Sequence, residues 1–365
     1  MPTFYLDETG FTGEDLMATE QPVFVQATND LTDVEASTHL LTSFGRTQAP
    51  ELKYSRVRRS VAGRQGALSL VRLLSTSPER AGTLIAHKEY TMVTMLVEWW
   101  MEPLAYRGGL NLYENGANHA TANMLFMTLG AFWPTSFRRD LLLHFQRMFR
   151  ARTAERFHEC RKFVEKARRK SVPRQDEVLM YLWPSFDLLG LTHVQHLPQR
   201  VLDIALPGLV MMGHTWRARH PGPWELVHDN STSMAKQRWL WDALSSIEMS
   251  EAQFEQPDMT TTFPMNVIAS RFADSATTPQ LQVCDILAGA TSEFVQHRTS
   301  STEESEYLQA LEEAGISQLI RHGMWPSSDV TPEALGRQGW DGSKAIDWIE
   351  DQFARRNVRP PSGIS

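Results

Sequence analysis

Cysteine is almost missing from this chain of 365 residues. There are two, Cys160 and Cys284, far apart and in no CxxC. That excludes a disulfide framework and a thiolate zinc site as organising features, and it fits a reducing cytoplasm. Long apolar runs are missing too. The longest, Met92 to Met101, is interrupted by Thr94 and Glu98. It falls far short of a bilayer span, so it reads as a buried helix and no membrane partner is expected. The first residues enter a strand directly, without the pattern of a signal peptide. The chain has no internal repeat and no low-complexity tract. It also has no P-loop, no GxGxxG after a strand and no GxSxG. Nucleotide-dependent and serine-hydrolase chemistries are left without support.

What remains is the composition of a folded protein, 42% hydrophobic and 22% charged. The length suits one large domain or two ordinary ones. The net charge of −7 is spread unevenly. Arg138 to Arg174 holds thirteen Lys/Arg against four Asp/Glu, and Lys53 to Arg72 holds six against none. Local basic surface matters more for phosphate binding than the total. Arg56, Arg58 and Arg59 belong to the second stretch. In the first, one amphipathic helix is expected over Thr135–Lys170. Leu141, Phe145, Met148 and Phe149 form its apolar stripe. Arg147, Arg150, Arg161 and Arg168 gather on the opposite side at roughly 100° per residue.

Strands are expected at Thr3–Glu8, Pro22–Ala27, Gly82–Lys88, Pro223–Asp229 and within Phe263–Asp274. The second is expected antiparallel to the first. Glu51–Ser60 alternates and reads as extended. Helices are expected at Asp33–Phe44, Gly66–Ser75 and Gln280–Gln296, and nearly throughout Thr91–His220. A capping box at Ser301 and Glu304 opens an acidic helix. Thr331-Pro332 opens another. The organisation expected is an α/β core in two pieces, 1–90 and 221–298. Residues 91–220 form an all-helical insertion, and 299–365 form a C-terminal helical extension.

Within that frame the acids recur in one setting. Asp7 and Glu8 end the first strand before Thr9-Gly10. Asp229 ends WELVHD, Asp274 ends IASRFAD, and Asp285 lies early in an otherwise apolar helix. A buried unpaired carboxylate costs several kcal/mol, roughly, unless a cation, a cap or an Arg relieves it. Acids at strand ends and a helix start suit a two-metal phosphoryl-transfer site. Oxygen ligands select Mg²⁺ or Mn²⁺ over zinc.

The segments FYLDETGFTGED, ELK (Glu51–Lys53), HK (His87-Lys88), HDNS (His228–Ser231) and ADSATTPQLQVCDILAGA (Ala273–Ala290) together resemble the "domain of unknown function 3800" family. The resemblance covers Thr3 to about Phe294. It departs in two places: Thr9 stands for a usual Ser, and Cys284 for the usual Ala before the helix acid. The resemblance implies a ribonuclease H-like (integrase-like) mixed sheet flanked by helices, with Asp7, Asp229 and Asp285 as its carboxylates. Glu8 is adjacent to Asp7 and points to the other face of an ideal strand. It joins as a ligand or orienter only if the strand bends. Lys53 and Lys88 match family positions suited to neutralising phosphate, and Asp274 is a further ligand or a supporting acid. The implied activity is a cytoplasmic nuclease using Mg²⁺ or Mn²⁺, two ions, on DNA or RNA. By family association alone, its setting is defence against mobile elements. The long helices and C-terminal helices offer surfaces for a dimer or a protein partner.

Two other readings stand beside it. One is a non-catalytic module of the same fold that binds nucleic acid or protein. The other is an HD-type metallophosphohydrolase, suggested by His228-Asp229. The second is disfavoured because the pair ends a strand, and His119, His144, His158, His193, His196, His214 and His220 show no matching spacing.

Overall fold

Strand β1 (Thr3–Thr9) buries Phe4 and Leu6 on one face and Asp7 on the other. It stops at Gly10, whose φ is +76°. A Cβ there would fall 2.0 Å from the Val23 carbonyl oxygen, so only glycine fits the turn. The structure, a computed structural model, describes residues 1–46, 49–230, 232–255, 260–297 and 306–358. Ser231 of HDNS and the expected Ser301–Glu304 capping box lie outside them.

After β1 come β2 (Val23–Asn29), α1 (Asp33–Phe44), α2 (Tyr54–Val57), α3 (Val61–Ser75) and β3 (Ala81–His87). A helical block follows: α4 (Lys88–Leu96), a π-helical turn (Val97–Met101), α5 (Glu102–Arg107), α6 (Ala117–Phe132), α7 (Thr135–Ala151), α8 (Ala154–Lys170), α9 (Pro173–Met180), α10 (Pro184–Leu188), α11 (Gly190–His196) and α12 (Ala205–Arg219). The chain then returns through β4 (Trp224–Asp229), α13 (Thr232–Ser245), the hairpin β5 (Ala252–Glu255) and β6 (Thr260–Phe263), β7 (Val267–Ala273) and α14 (Pro279–His297). It closes with α15 (Glu306–Glu313), β8 (Ile320–Met324) and α16 (Ser343–Arg355).

The fold is α/β and 58% helical, with a mixed six-stranded sheet flanked by helices. The sheet order is β7-β4-β1-β2-β3-β8. Strands β1, β2 and β3 run antiparallel in turn. Strand β4 is parallel to β1, β7 to β4, and β8 to β3. Each face carries its own core. Phe4, Leu6 and Leu84 pack with Trp100, Phe145 and Leu206 of the helical block. Val25, Ala27 and Ile85 pack with Val71, Cys284 and Leu287 on the α1, α3 and α14 side. Burying each large apolar side chain contributes about 1.5–3 kcal/mol. The two cores therefore fix which face every β1 residue takes.

Four expectations change. The Thr135–Lys170 helix is two helices. Arg152 takes a left-handed φ of +55°, and the Thr153 hydroxyl caps α8 by accepting from the Arg156 N–H at 3.4 Å. The four arginines therefore share no single helix face. Glu51–Ser60 is extended only up to Lys53, and α2 follows at once. Thr331 does make a cap bond, accepting from the Ala334 N–H at 3.2 Å. Gly336, at φ +65°, ends the segment as a turn. Strand β8 was not expected, because the short edge sequence IRHGM carries little β signal of its own. No helix among the described residues is long and apolar enough to cross a membrane.

Candidate functional site

Sheet register brings the first two carboxylates together. Leu6 pairs with His228 across the parallel β1 and β4. The next residues are Asp7 and Asp229, side by side on the face that α14 covers.

Helix α14 supplies the third. Its Cys284 thiol donates to the Tyr5 carbonyl at 3.4 Å, and the Asn29 amide donates to Cys284 Sγ at 3.0 Å and to the Gln280 carbonyl at 3.0 Å. A small residue is needed here, because the helix lies directly against the strand. Asp285, the next residue, is thereby held beside Asp7 and raises its pKa.

The segment before α2 closes the site. The Leu52 N–H donates to Gln282 Oε1 at 3.0 Å, and the Tyr54 N–H donates to Asp285 Oδ1 at 2.6 Å. Lys53 thus projects into the carboxylates. Its Nζ lies 3.0 Å from Glu51 Oε1, 3.5 Å from Asp285 Oδ2, 3.7 Å from Asp229 Oδ2 and 3.1 Å from Ser275 Oγ. The Ser275 hydroxyl also donates to Glu51.

The charges are strongly coupled. Burial first, then the charges of Asp229, Asp285 and Glu8, push the Asp7 carboxyl up to about 8, against the pull of Lys53. Burial raises Asp285 as well, opposed by the Tyr54 N–H and Lys53. For Lys53, burial disfavours the charge, but Glu51, Asp285, Asp7 and Asp229 outweigh it and hold the ammonium protonated. Among the described residues, no three His, Cys, Asp or Glu side chains stand where they could enclose a metal ion. In this arrangement the ammonium of Lys53 bridges the carboxylates of Asp229 and Asp285.

Three expected members stand elsewhere. Glu8 does not join the carboxylates. The strand does not bend, so its side chain lies on the opposite face and pairs with His228, Oε2 to Nε2 at 3.0 Å. Only its backbone reaches the site, the Glu8 N–H donating to Asp7 Oδ1 at 2.8 Å. Lys88 is buried and donates to Thr12 Oγ1 at 2.8 Å; burial lowers its pKa to about 8, opposed by Asp15. It anchors the loop after β1 and makes no ion pair with the carboxylates. Asp274 is exposed and accepts from the Ala276 N–H at 2.9 Å, capping a 3₁₀ turn.

The basic residues divide similarly. Arg56, Arg58 and Arg59 lie exposed on and after α2, next to Lys53; Arg58 pairs with Glu293 at 3.6 Å. Arg147 and Arg150 are exposed on α7. Arg161 and Arg168 are engaged with Asp187 at 2.5 Å and Asp176 at 2.9 Å, both stacked over Trp183.

Sequence reasoning did not single out Glu51, Ser275 and Gln282, which hold Lys53 and its segment. All three lie inside the quoted ELK and ADS…LQVCD segments, so position, not residue type, was the available signal. No family model, no curated protein and no solved structure matches this chain.

Proposed function

We propose that this chain is a metal-dependent nuclease of the ribonuclease H-like kind, as its resemblance to the domain of unknown function 3800 family implies. One observation carries the reading: carboxylates from β1, β4 and α14 meet at one place, where Lys53 Nζ lies 3.7 Å from Asp229 Oδ2 and 3.5 Å from Asp285 Oδ2, and where burial together with the charges of Asp229 and Asp285 pushes Asp7 up to about 8. The mixed sheet supports it, with β1, β2 and β3 antiparallel in turn, β4 parallel to β1 and β7 parallel to β4.

The donor set is all oxygen, as a hard divalent cation takes, and such a cation would displace the Lys53 ammonium from Asp229 and Asp285. Asp7, Asp229 and Asp285 would hold Mg²⁺ or Mn²⁺, two ions in the full form. Such ions, when bound, activate water and stabilise the leaving oxygen of a phosphodiester. The chain's own groups do the rest. The Glu8 and Tyr54 N–H groups fix the orientation of Asp7 and Asp285. Lys53, held protonated, supplies positive charge at the position a phosphate must approach. Arg56 and Arg59 extend that charge along the rim and grip the backbone of the nucleic acid. Glu8 and His228 brace the ends of β1 and β4 from the far face.

The pairing of Lys53 with three carboxylates favours a second reading, a binding module of the same fold in which the ammonium permanently neutralises the acids. Cleavage of labelled single-stranded, duplex and hybrid substrates with Mn²⁺ separates the two. Wild-type cleavage that needs the metal and is lost in Asp7→Asn and Asp229→Asn supports the nuclease. Equal cleavage in wild type and variants overturns the site. Binding without cleavage under every condition supports the module.

A further inference from the structure

The Lys53 ammonium is not shared evenly among the acids around it. Its Nζ is within hydrogen-bond length of Glu51 Oε1, at 3.0 Å, and of Ser275 Oγ, at 3.1 Å. It stands further from Asp285 Oδ2, at 3.5 Å, and from Asp229 Oδ2, at 3.7 Å. The Ser275 hydroxyl meets Glu51 Oε1, the same oxygen that takes Lys53. An ammonium only donates and an ionised carboxylate only accepts, which fixes the direction of the hydroxyl. It accepts from Lys53 and gives its one proton to Glu51. The three groups close a ring beside Asp229 and Asp285.

The ring has a fixed frame. Gln282, buried on α14, accepts from the Leu52 N–H at 3.0 Å and donates to the Ser275 carbonyl at 2.9 Å. One amide therefore ties the Lys53 segment to Ser275. On the other side of Lys53, the Tyr54 N–H is tied to Asp285. With the backbone held at both neighbours, the ammonium moves only by turning its own side chain. Ammonium–carboxylate hydrogen bonds close to about 2.7–2.9 Å when nothing prevents it. Lys53 stands off from Asp229 and Asp285 by more than that, while the ring takes its nearer bonds. Freed from the ring, the ammonium would close on the two acids and become a stronger competitor for them.

We propose that Glu51 and Ser275 are positioning residues. They hold the Lys53 ammonium to one side, so that Asp229 and Asp285 exchange it for a divalent cation while its charge stays at the site. The inference rests on the nuclease reading of these carboxylates and assigns two residues outside its ligand set.

Calorimetric titration of the full chain with Mn²⁺, at neutral pH and without substrate, tests it. Ser275→Ala removes the ring's hydroxyl and no charge. It should weaken Mn²⁺ binding about tenfold, the worth of one hydrogen bond to a charged group. Lys53→Met should tighten binding, because the competing ammonium is gone. In that background Ser275→Ala should change nothing, there being no ammonium left to hold. Glu51→Gln, at a partly exposed side chain, gives a second cycle that stands if Ser275→Ala does not fold. It removes a charge, so it should weaken binding in both backgrounds, and more where Lys53 is present. Weaker binding by Lys53→Met overturns the proposal. So does Mn²⁺ binding by Ser275→Ala that equals wild type. Equal losses with and without Lys53, the mark of a merely structural role, overturn it as well. If Asp229→Asn abolishes Mn²⁺ binding while both cycles are flat, this inference falls and the nuclease reading stands. If wild type binds no Mn²⁺, or Asp229→Asn binds it unchanged, both fall.

Discussion

Gly289 of α14 lies directly beneath the ring of Tyr54, so closely that a Cβ on Gly289 would fall 2.3 Å from Tyr54 Cδ1 and Cγ. The contact matters because the Tyr54 N–H holds Asp285 and the preceding residue is Lys53. One missing methyl therefore sets how deep the Lys53 segment sits.

Gly289→Ala should lift Tyr54 off the helix. Overpacking at such a contact costs about 1–3 kcal/mol, readable as a lower denaturation midpoint. If the site is catalytic, activity should fall further than stability accounts for, because Lys53 and Asp285 lose their register. A variant as stable and as active as wild type would show that the contact positions nothing.

The Asp7 carboxyl predicts a pH dependence. Its folded pKa of about 8 lies above the ordinary 3.8, so the folded state binds the proton more tightly. The associated stability is present below the ordinary value and is lost as pH rises towards about 8. Asp7→Asn should remove that loss and gain on the order of 1–3 kcal/mol at mildly alkaline pH. Urea midpoints across that range read it. Parallel curves for wild type and Asp7→Asn would refute the coupling.

His214 works in the opposite direction. Burial against Phe263 lowers its pKa to about 4 from 6.5. The unfolded chain takes up the proton first, so stability is lost as pH falls through that window. His214→Leu should flatten the acid limb and leave the alkaline limb of Asp7 intact. A single limb governing both would contradict the assignment.

Glu8 and Asp229 should separate cleanly. Glu8→Gln breaks a buried pair with His228 and should destabilise by about 1–3 kcal/mol. It should keep any rise in melting temperature caused by Mn²⁺, because its side chain is on the other face. Asp229→Asn should lose that rise. Loss of the rise in Glu8→Gln would restore Glu8 as a ligand.

Much of the site could be read in the chain, and the reason is local. Asp7 and Asp229 each end an apolar strand, and Asp285 interrupts an apolar helix face, so their settings are visible within a few residues. Lys53 was legible by resemblance, and its partners Glu51 and Ser275 were not. Their meeting depends on a contact between residues more than two hundred positions apart. Lys88 misled for the same reason: its sequence position resembled a phosphate-binding lysine, and its partner Thr12 is supplied by a turn. The Arg152–Thr153 break was hidden because no Gly or Pro marks it, while the left-handed Arg152 and the Thr153 cap are visible only in the structure.

The sequence by itself determined the strands and helices that carry the acids, because hydrophobic period and turn residues act over a few positions. It also determined that Asp7 and Glu8 face opposite ways, since alternation is a property of any strand. Only the tertiary structure decided what each then meets. Two cores, one on each face of the sheet, sent Glu8 to His228 and Asp7 to Asp229, Asp285 and Lys53. Charges come together or stay apart according to how those cores pack, and packing joins residues that no local pattern connects.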